Sequence, residues 1–283
     1  MRSVENSMGG PENGSADRTD DGSDGTPAHG PHFVQALARG LDVIRAFDAD
    51  HSRMTFSEVA RRCDVTRSTA RRCLLTLADL GYVRTDGKYF ELTPHILRLG
   101  YAYLSGASLP DLAQPHLRDL VDTAQASASL CVLDGADIVN VARVRGSRVI
   151  RDAHGVGNTG PAHATAAGRV LLAWLPDDEL ARHLPDPLPR LTARTITALP
   201  ELRAELLGVR AQGFALVDGE FVEGLRSVAA PVRDRTGAVA AAVSVSALTG
   251  HRPHTVGDEQ IIAAVREAAR RIETDIRSGP EWR

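Results

Sequence analysis

Two groups of residues in this 283-residue chain have types and spacings that could do chemistry. The first is Thr66-Arg-Ser-Thr-Ala-Arg-Arg72, with its hydroxyls and guanidinium forks at the start of a helical pattern. Arg67, Ser68, Thr69, Arg71 and Arg72 lie opposite Ala70, Cys73, Leu74 and Leu77. A helix that opens this way suits a major groove, where such groups reach phosphate oxygens and base edges. A solvated helix face is the plainer alternative. The second group is Ser244 and Ser246, two apart in a strand pattern, so both hydroxyls share one side. Ser227 begins one flanking strand and Asp218 ends another. Near them in function stands the small-residue helix start His163-Ala-Thr-Ala-Ala-Gly-Arg169, whose open amides favour a carboxylate. The plainer reading makes these serines satisfied polar groups of a buried strand.

Several chemistries are excluded. No G-x-S-x-G elbow, phosphate-loop lysine motif or H-E-x-x-H helix is present, and the ten histidines lack ligand spacing. Gly155-Val-Gly-Asn-Thr-Gly160 matches a dinucleotide fingerprint letter for letter, but Pro161 follows where the helix should continue and no βαβ unit precedes it. Neither metal nor cofactor is expected. Cys63, Cys73 and Cys131 have no C-x-x-C spacing and suit packing in a reducing cytoplasm.

The elements that must position these groups follow from periodicity and punctuation. Phe33, Leu37, Leu41, Ile44 and Phe47 step at three and four, giving a first amphipathic helix with that stripe as its core face. Thr55 and Glu58 form a capping box for a second, with Val59, Ala60 and Cys63 inward. Asp64 takes a left-handed turn and Thr66 caps the third helix. Asp86-Gly87 then turns a hairpin over residues 81–93, carrying Arg84 and Lys88. Helix, turn, helix and hairpin together make a winged helix-turn-helix.

Pro94 opens a connecting helix over residues 94–107. Beyond it are a helix around Leu112–Ala124, strands Ser129–Leu133 and Ile138–Val144 about the turn Asp134-Gly135, and a third strand Val149–Ala153. A glycine-rich loop leads to a helix His163–Trp174 and a short helix Asp177–His183. Helix Glu201–Gln212 stops at Gly213. Strands Phe214–Val217, Ser227–Arg233 and Val239–Leu248 and an apolar-striped C-terminal helix complete an α+β second domain. Residues 1–32, polar and mildly acidic, read as a disordered tail. The expected division is therefore 1–32 tail, 33–93 winged helix-turn-helix, 94–107 connecting helix and 108–277 second domain. A net charge of −3 keeps any nucleic-acid contact local, and no apolar run approaches a membrane span.

Over residues 33–277 the chain resembles the isocitrate-lyase-regulator (IclR) family of transcriptional regulators. The matching pieces are Arg39-Gly-Leu-Asp-Val-Ile44, Ser57-Glu-Val-Ala60, Arg67-Ser-Thr69, Gly81-Tyr-Val83, His163-Ala-Thr-Ala166, Gly168-Arg-Val-Leu-Leu172 and Gly224-Leu-Arg-Ser227. The run Ala211–Asp218 with Glu223–Ser227 and Ala230–Asp234 is most similar to the branch governing aromatic-acid breakdown through protocatechuate and β-ketoadipate. The resemblance implies a GAF-like effector-binding domain, dimers or tetramers, double-stranded operator DNA as partner, and an aromatic or dicarboxylic acid as effector. It assigns the effector to Ala166, Ala167, Asp218, Ser227, Ser244 and Ser246. On the DNA side, Arg71, Arg72, Arg84 and Lys88 are expected at phosphates, and Arg67, Ser68 and Thr69, capped by Thr66, at bases. The sequence departs from the family at Ser227, where some members carry Cys, at Gly160-Pro161 in place of Leu-Pro, and at Asp64 in place of Gly. The rival reading is a hydrolase or lyase with an N-terminal anchoring module, against which the missing nucleophile–base pair stands.

Overall fold

A computed structural model describes residues 30–104, 109–146, 155–248 and 258–278. Most of the 1–32 tail and the expected strand Val149–Ala153 lie outside the described residues.

The first unit is built from α1 (Gln35–Arg45), β1 (Arg53–Met54), α2 (Phe56–Arg62), α3 (Arg67–Asp79), β2 (Val83–Thr85) and β3 (Phe90–Leu92). The capping box forms as the sequence predicts: Glu58 N donates to Thr55 Oγ1 at 3.4 Å and Thr55 N to Glu58 Oε2 at 2.7 Å. Asp64 sits at φ +50, left-handed, and lets the chain turn into Thr66, whose Oγ1 accepts the Thr69 amide at 3.2 Å. Val59, Ala60, Ala70, Leu74 and Leu77 close the core against Val43, Val83 and Phe90. The hairpin gains an unforeseen third strand: β1, only two residues, pairs antiparallel with β3 on the side away from β2.

The apolar stripe expected to bury α1 does not do so along its length. Val43 is buried and Ile44 and Phe47 pack against the core, but Phe33, Leu37 and Leu41 are exposed, Leu37 by 63% and Leu41 by 48%. Only the C-terminal end of α1 reaches the core of this unit.

The connecting segment starts as a single 3-10 turn, Pro94–Ile96, before α4 (Leu97–Leu104). Thr93 caps it, its Oγ1 accepting the His95 amide at 3.3 Å.

The second unit has a six-stranded antiparallel sheet in the order β6-β5-β4-β9-β8-β7. Its strands are β4 (Ser127–Asp134), β5 (Asp137–Val144), β6 (Thr159–Pro161), β7 (Ala215–Asp218), β8 (Leu225–Arg233) and β9 (Val239–Leu248). Part of the expected glycine-rich loop is thus an edge strand, β6, paired with β5. Helices cover both faces. On one, α5 (Leu109–Ala124) and α9 (Asp258–Ser278) bury Val228, Ala230, Val232, Ala241, Val243 and Val245. On the other, α6 (Ala166–Ala173) and α8 (Leu199–Gln212), with the short α7 (Asp177–Leu180), bury Ala215, Val217, Ala229 and Ala242. The strict alternation along β8 and β9 is the period-2 geometry of strands covered on both sides. Pro231 lies beyond the β7 pairing, which ends at Ala229, on the part of β8 that pairs only with β9. Gly213 ends α8 at φ +79, the expected left-handed stop. Helix α6 begins later than expected: Ala162–Ala164 is a 3-10 turn, and Thr165 caps the helix through the Gly168 amide at 3.2 Å.

Candidate DNA-reading helix and effector cavity

On α3, successive residues turn by roughly 100°, which sets Ser68 and Arg72 farthest from buried Ala70, Leu74 and Leu77. Thr69 and Arg71 flank them. Arg71 and Arg72 are exposed and make no ion pair among the described residues. Arg67 behaves differently. Its Nε and Nη2 donate to Ser57 Oγ at 3.0 and 2.5 Å, and its guanidinium lies 5.6 Å from the Phe56 ring centroid. In the free protein it therefore clasps α3 to α2. Thr66 Oγ1 is held between the Ser68 and Thr69 hydroxyls, each at 2.9 Å.

The hairpin is stiffened by charge. Asp86 accepts the Lys88 and Tyr89 amides at 3.0 and 2.8 Å and pairs with Arg53, so its carboxyl is held down to about 2, chiefly by the Tyr89 amide. Arg84 gives Nε to Glu91 Oε1 at 2.7 Å, which offsets part of the charge it could bring to a phosphate. Lys88 Nζ stands 4.9 Å from the Tyr89 centroid, and Arg53 Cζ 4.5 Å from the same ring.

In the second unit a cavity opens between the sheet and the start of α6. Ala166, Ala167, Ser227, Ser244 and Ser246 all line it, as five of the six expected effector residues. The cavity, of about 70 Å³, is several times the ~10–15 Å³ that one water needs. Asp218 does not line it. Val217, its neighbour on β7, faces the cavity, and strand alternation turns Asp218 away to meet Arg194 Nη1 at 3.1 Å.

The pairing register explains the polar floor. Ser244 stands across from Ser129 and Ser129 across from Arg143; one row on, Ser246 is paired with both Ser127 and Ser227. Ser227 Oγ and Ser246 Oγ are 2.8 Å apart, and Arg143 Nη1 donates to Ser129 Oγ at 3.0 Å. Cys131, buried, gives its thiol hydrogen to Asn140 Oδ1 at 3.1 Å. Burial pushes that thiol up to about 12, despite the opposing pull of Ser244 and Arg143, so it stays protonated and able to donate. The carbonyl end of Asn140 being taken, its amide hydrogens are left for a ligand. Arg143 is the one charged side chain among the described lining residues. Apolar walls come from Ile138, Val217, Phe221 and Leu225.

At the helix end, Thr165 takes the Gly168 amide, while the amides of Ala166 and Ala167 have no intrahelical acceptor. Positive helix-end charge and Arg143 thus face one small space. Sequence reasoning missed Ser129, Asn140 and Phe221, and kept Arg143, with Arg151 outside the described residues, only as the fallback position of the site. The two-residue turn between Asp134 and Asp137 could have paired Cys131 with Asn140 by counting.

Comparison with known proteins agrees with this geometry. The model of the IclR helix-turn-helix domain matches residues 36–87, and that of the bacterial transcriptional regulator IclR C-terminal domain matches residues 101–274. The Pca regulon regulatory protein of Pseudomonas putida is 38% identical over 242 residues, covering 85% of this chain and 83% of its own. The p-hydroxybenzoate hydroxylase transcriptional activator of Acinetobacter baylyi is 35% identical, covering 85% and 91%. Among solved structures, a protein of Rhodococcus sp. RHA1 described as a transcriptional regulator is 50% identical with a TM-score of 0.73, over 87% of this chain and 99% of its own. An IclR homologue of Microbacterium hydrocarbonoxydans complexed with 4-hydroxybenzoate is 27% identical with a TM-score of 0.72, over 86% and 100%. All are regulators or their homologues, and the hydrolase or lyase alternative finds no support. No helix among the described residues is long and apolar enough to cross a membrane. The chain therefore belongs to the IclR family of bacterial transcriptional regulators: it is a DNA-binding regulator with an IclR C-terminal domain, and not an enzyme.

Proposed function

We propose that the effector is a hydroxylated aromatic acid carrying one carboxylate, of the 4-hydroxybenzoate or protocatechuate kind. The observation that carries this is Arg143. Arg143, the one charged side chain among the described lining residues, and the Ala166 and Ala167 amides offer donors to one carboxylate. Phe221, Ile138 and Leu225 suit a ring, and the Ser227–Ser246 hydroxyl pair suits a phenolic hydroxyl, which both donates and accepts. Relatives named for p-hydroxybenzoate and Pca regulation, and a homologue crystallised with 4-hydroxybenzoate, support the same class. Asp218 has no part in this reading. Calorimetry with 4-hydroxybenzoate, protocatechuate and the dicarboxylate β-ketoadipate tests it: tightest binding of β-ketoadipate would overturn the one-carboxylate reading.

On DNA, Arg71, Arg72 and Lys88 are the phosphate contacts of this reading, with Arg84 a weaker one. Ser68 and Thr69 read bases, and Thr66 and Arg67 hold α3 in place for them. Two copies present their winged helices to a two-fold operator in the cytoplasm. The surface proposed to join them is the groove between α1, α3 and α4. It is lined by Leu37, Leu41, Ile44, Leu80 and Leu99, with Leu97 and Tyr101 exposed nearby on α4. A groove and its own apolar ridge on one surface suit an isologous contact. The working division is residues 33–93 for DNA, 94–107 as connector and 108–277 for the effector. Effector uptake alters the second domain, and α4 relays this to the spacing of the paired reading helices.

A further inference from the structure

We infer that Arg169 and Glu220 act as a buried clamp that positions Phe221 as the ring-binding wall of the cavity. These two residues thereby govern affinity for aromatic acids without touching them. The inference rests on the effector cavity proposed above.

Arg169 is 1% exposed and Glu220 8%, and Arg169 Nη2 meets Glu220 Oε2 at 2.5 Å. Arg169 also gives Nε to the His163 carbonyl at 3.1 Å and has Glu205 Oε1 3.5 Å from Nη1. The same Glu220 oxygen accepts the Ile196 amide at 3.2 Å. Two threonines of the preceding strap hold the loop backbone: Thr192 Oγ1 donates to the Gly219 carbonyl and Thr195 Oγ1 to the Glu220 carbonyl, each at 2.7 Å. Gly219 and Gly224, at φ +71 and +72, bound the loop between β7 and β8. Within it, Glu220 turns into the protein and its neighbour Phe221 lines the cavity.

The far side of that ring has its own seat. A Cβ placed on Gly160 would lie 3.5 Å from Phe221 Cζ and 3.3 Å from Thr165 Cγ2. Gly160 on β6 thus borders the ring at ordinary contact distance, and the tighter neighbour of such a Cβ would be Thr165. Arg169 lies on α6, whose first residues Ala166 and Ala167 form another wall of the same cavity. One short helix therefore supplies the amide end and grips the aromatic wall.

A buried ion pair is a poor stabiliser, since desolvation offsets its attraction and a well-packed apolar pair can replace it. What an apolar pair cannot do is hold the loop by directional bonds to His163, Ile196 and Glu205. That difference makes the clamp separable from the fold.

The test is a double-mutant cycle in the full chain. Arg169→Met with Glu220→Leu removes the clamp, Phe221→Ala removes the wall, and a third variant carries all three changes. The probes are 4-hydroxybenzoate binding by calorimetry and amide hydrogen exchange of residues 190–197 and 219–224 without ligand. The clamp-less variant should bind ~10-fold more weakly, and Phe221→Ala should cost it nothing further. Its 219–224 amides should exchange at least ~10-fold faster while α5 and α9 keep their protection. Unchanged exchange in 219–224, or affinity losses that multiply independently, overturns the clamp. If the apolar pair does not fold, Glu220→Gln, which keeps the volume, is read in the same way. Should wild type take no aromatic acid, the effector reading fails alone, and the exchange result still decides the clamp.

Discussion

Arg143 faces Ser129 across the β4–β5 ladder because of one extra residue. Cys131 pairs with Asn140 but Leu130 with Ala142, so Val141 is bulged out of register. Simple alternation would put Asn140 and Ala142 on the cavity face and Arg143 on the other. With the bulge, Val141 and Ala142 both pack against the α5–α9 layer, and Arg143 joins Asn140 over the cavity.

Arg143→Gln should therefore weaken binding of a carboxylate effector by ~10–100-fold, the worth of a hydrogen bond to a charged group. DNA affinity without effector should hold, since the change lies in the other unit. Calorimetry and a DNA titration on one preparation check both. Full effector affinity in the variant would remove Arg143 from the site.

That bulge also marks where sequence reasoning stops. Capping at Thr55 and Thr66, the left-handed Asp64 and the stop at Gly213 were legible because each is set by its own neighbours in the chain. Ser244 and Ser246 were legible because alternation is local. Arg143 was not, because a bulge is fixed by the pairing of two strands, and nothing in Asn140–Val144 announces it. The exposure of Leu37 and Leu41 was hidden for a related reason. A stripe at helical spacing declares an apolar face, but not whether that face meets the same chain.

Asp218 on β7 and Ser244 on β9 separate cleanly. Asp218→Asn should leave effector affinity within about twofold, since Arg194 holds the carboxylate outside the cavity. Ser244→Ala should cost about 1 kcal/mol or more if its hydroxyl meets the ligand. Calorimetry on the two variants decides; a large loss in Asp218→Asn alone would bring that residue back to the ligand.

On DNA, Arg71→Ala and Arg72→Ala should each weaken specific and random duplexes alike and reduce the salt slope by about 1. Arg84→Ala should do less, because Glu91 already engages its Nε at 2.7 Å. Ser68→Ala should relax sequence preference with little change in salt dependence. Titrations at two salt concentrations, on operator and scrambled DNA, read all four. Equal salt slopes in wild type and both α3 arginine variants would show that this face does not meet phosphates.

Acid should loosen the hairpin. Asp86 titrates near 2 in the folded protein, below its ordinary 3.8, so its ionised form favours the fold. That contribution is complete above about pH 4 and fades as pH falls through 2. The melting temperature of Asp86→Asn should trail wild type at pH 6, and the gap should close toward pH 2. A gap that widens on acidification would contradict the assignment.

The exposed α1 face yields the last prediction. Leu37 and Leu41 border the same groove as Leu80 and Leu99, and α4 leaves Leu97 and Tyr101 uncovered. Apolar surface of this kind, on an element next to the reading helix, is costly to leave in water and suits a second copy. Leu37→Glu places a charge in the proposed contact without touching the buried core, so the unit should fold and melt as wild type does. Paired reading helices bind their operator as one bivalent body, and avidity of this type is worth ~10²–10⁴ in affinity. Leu37→Glu and Leu99→Glu should each lower the self-association measured by sedimentation, and each should weaken a two-fold operator far more than a single half-site. Wild-type mass together with wild-type preference for the full operator, in both variants, would place the dimer contact on another face.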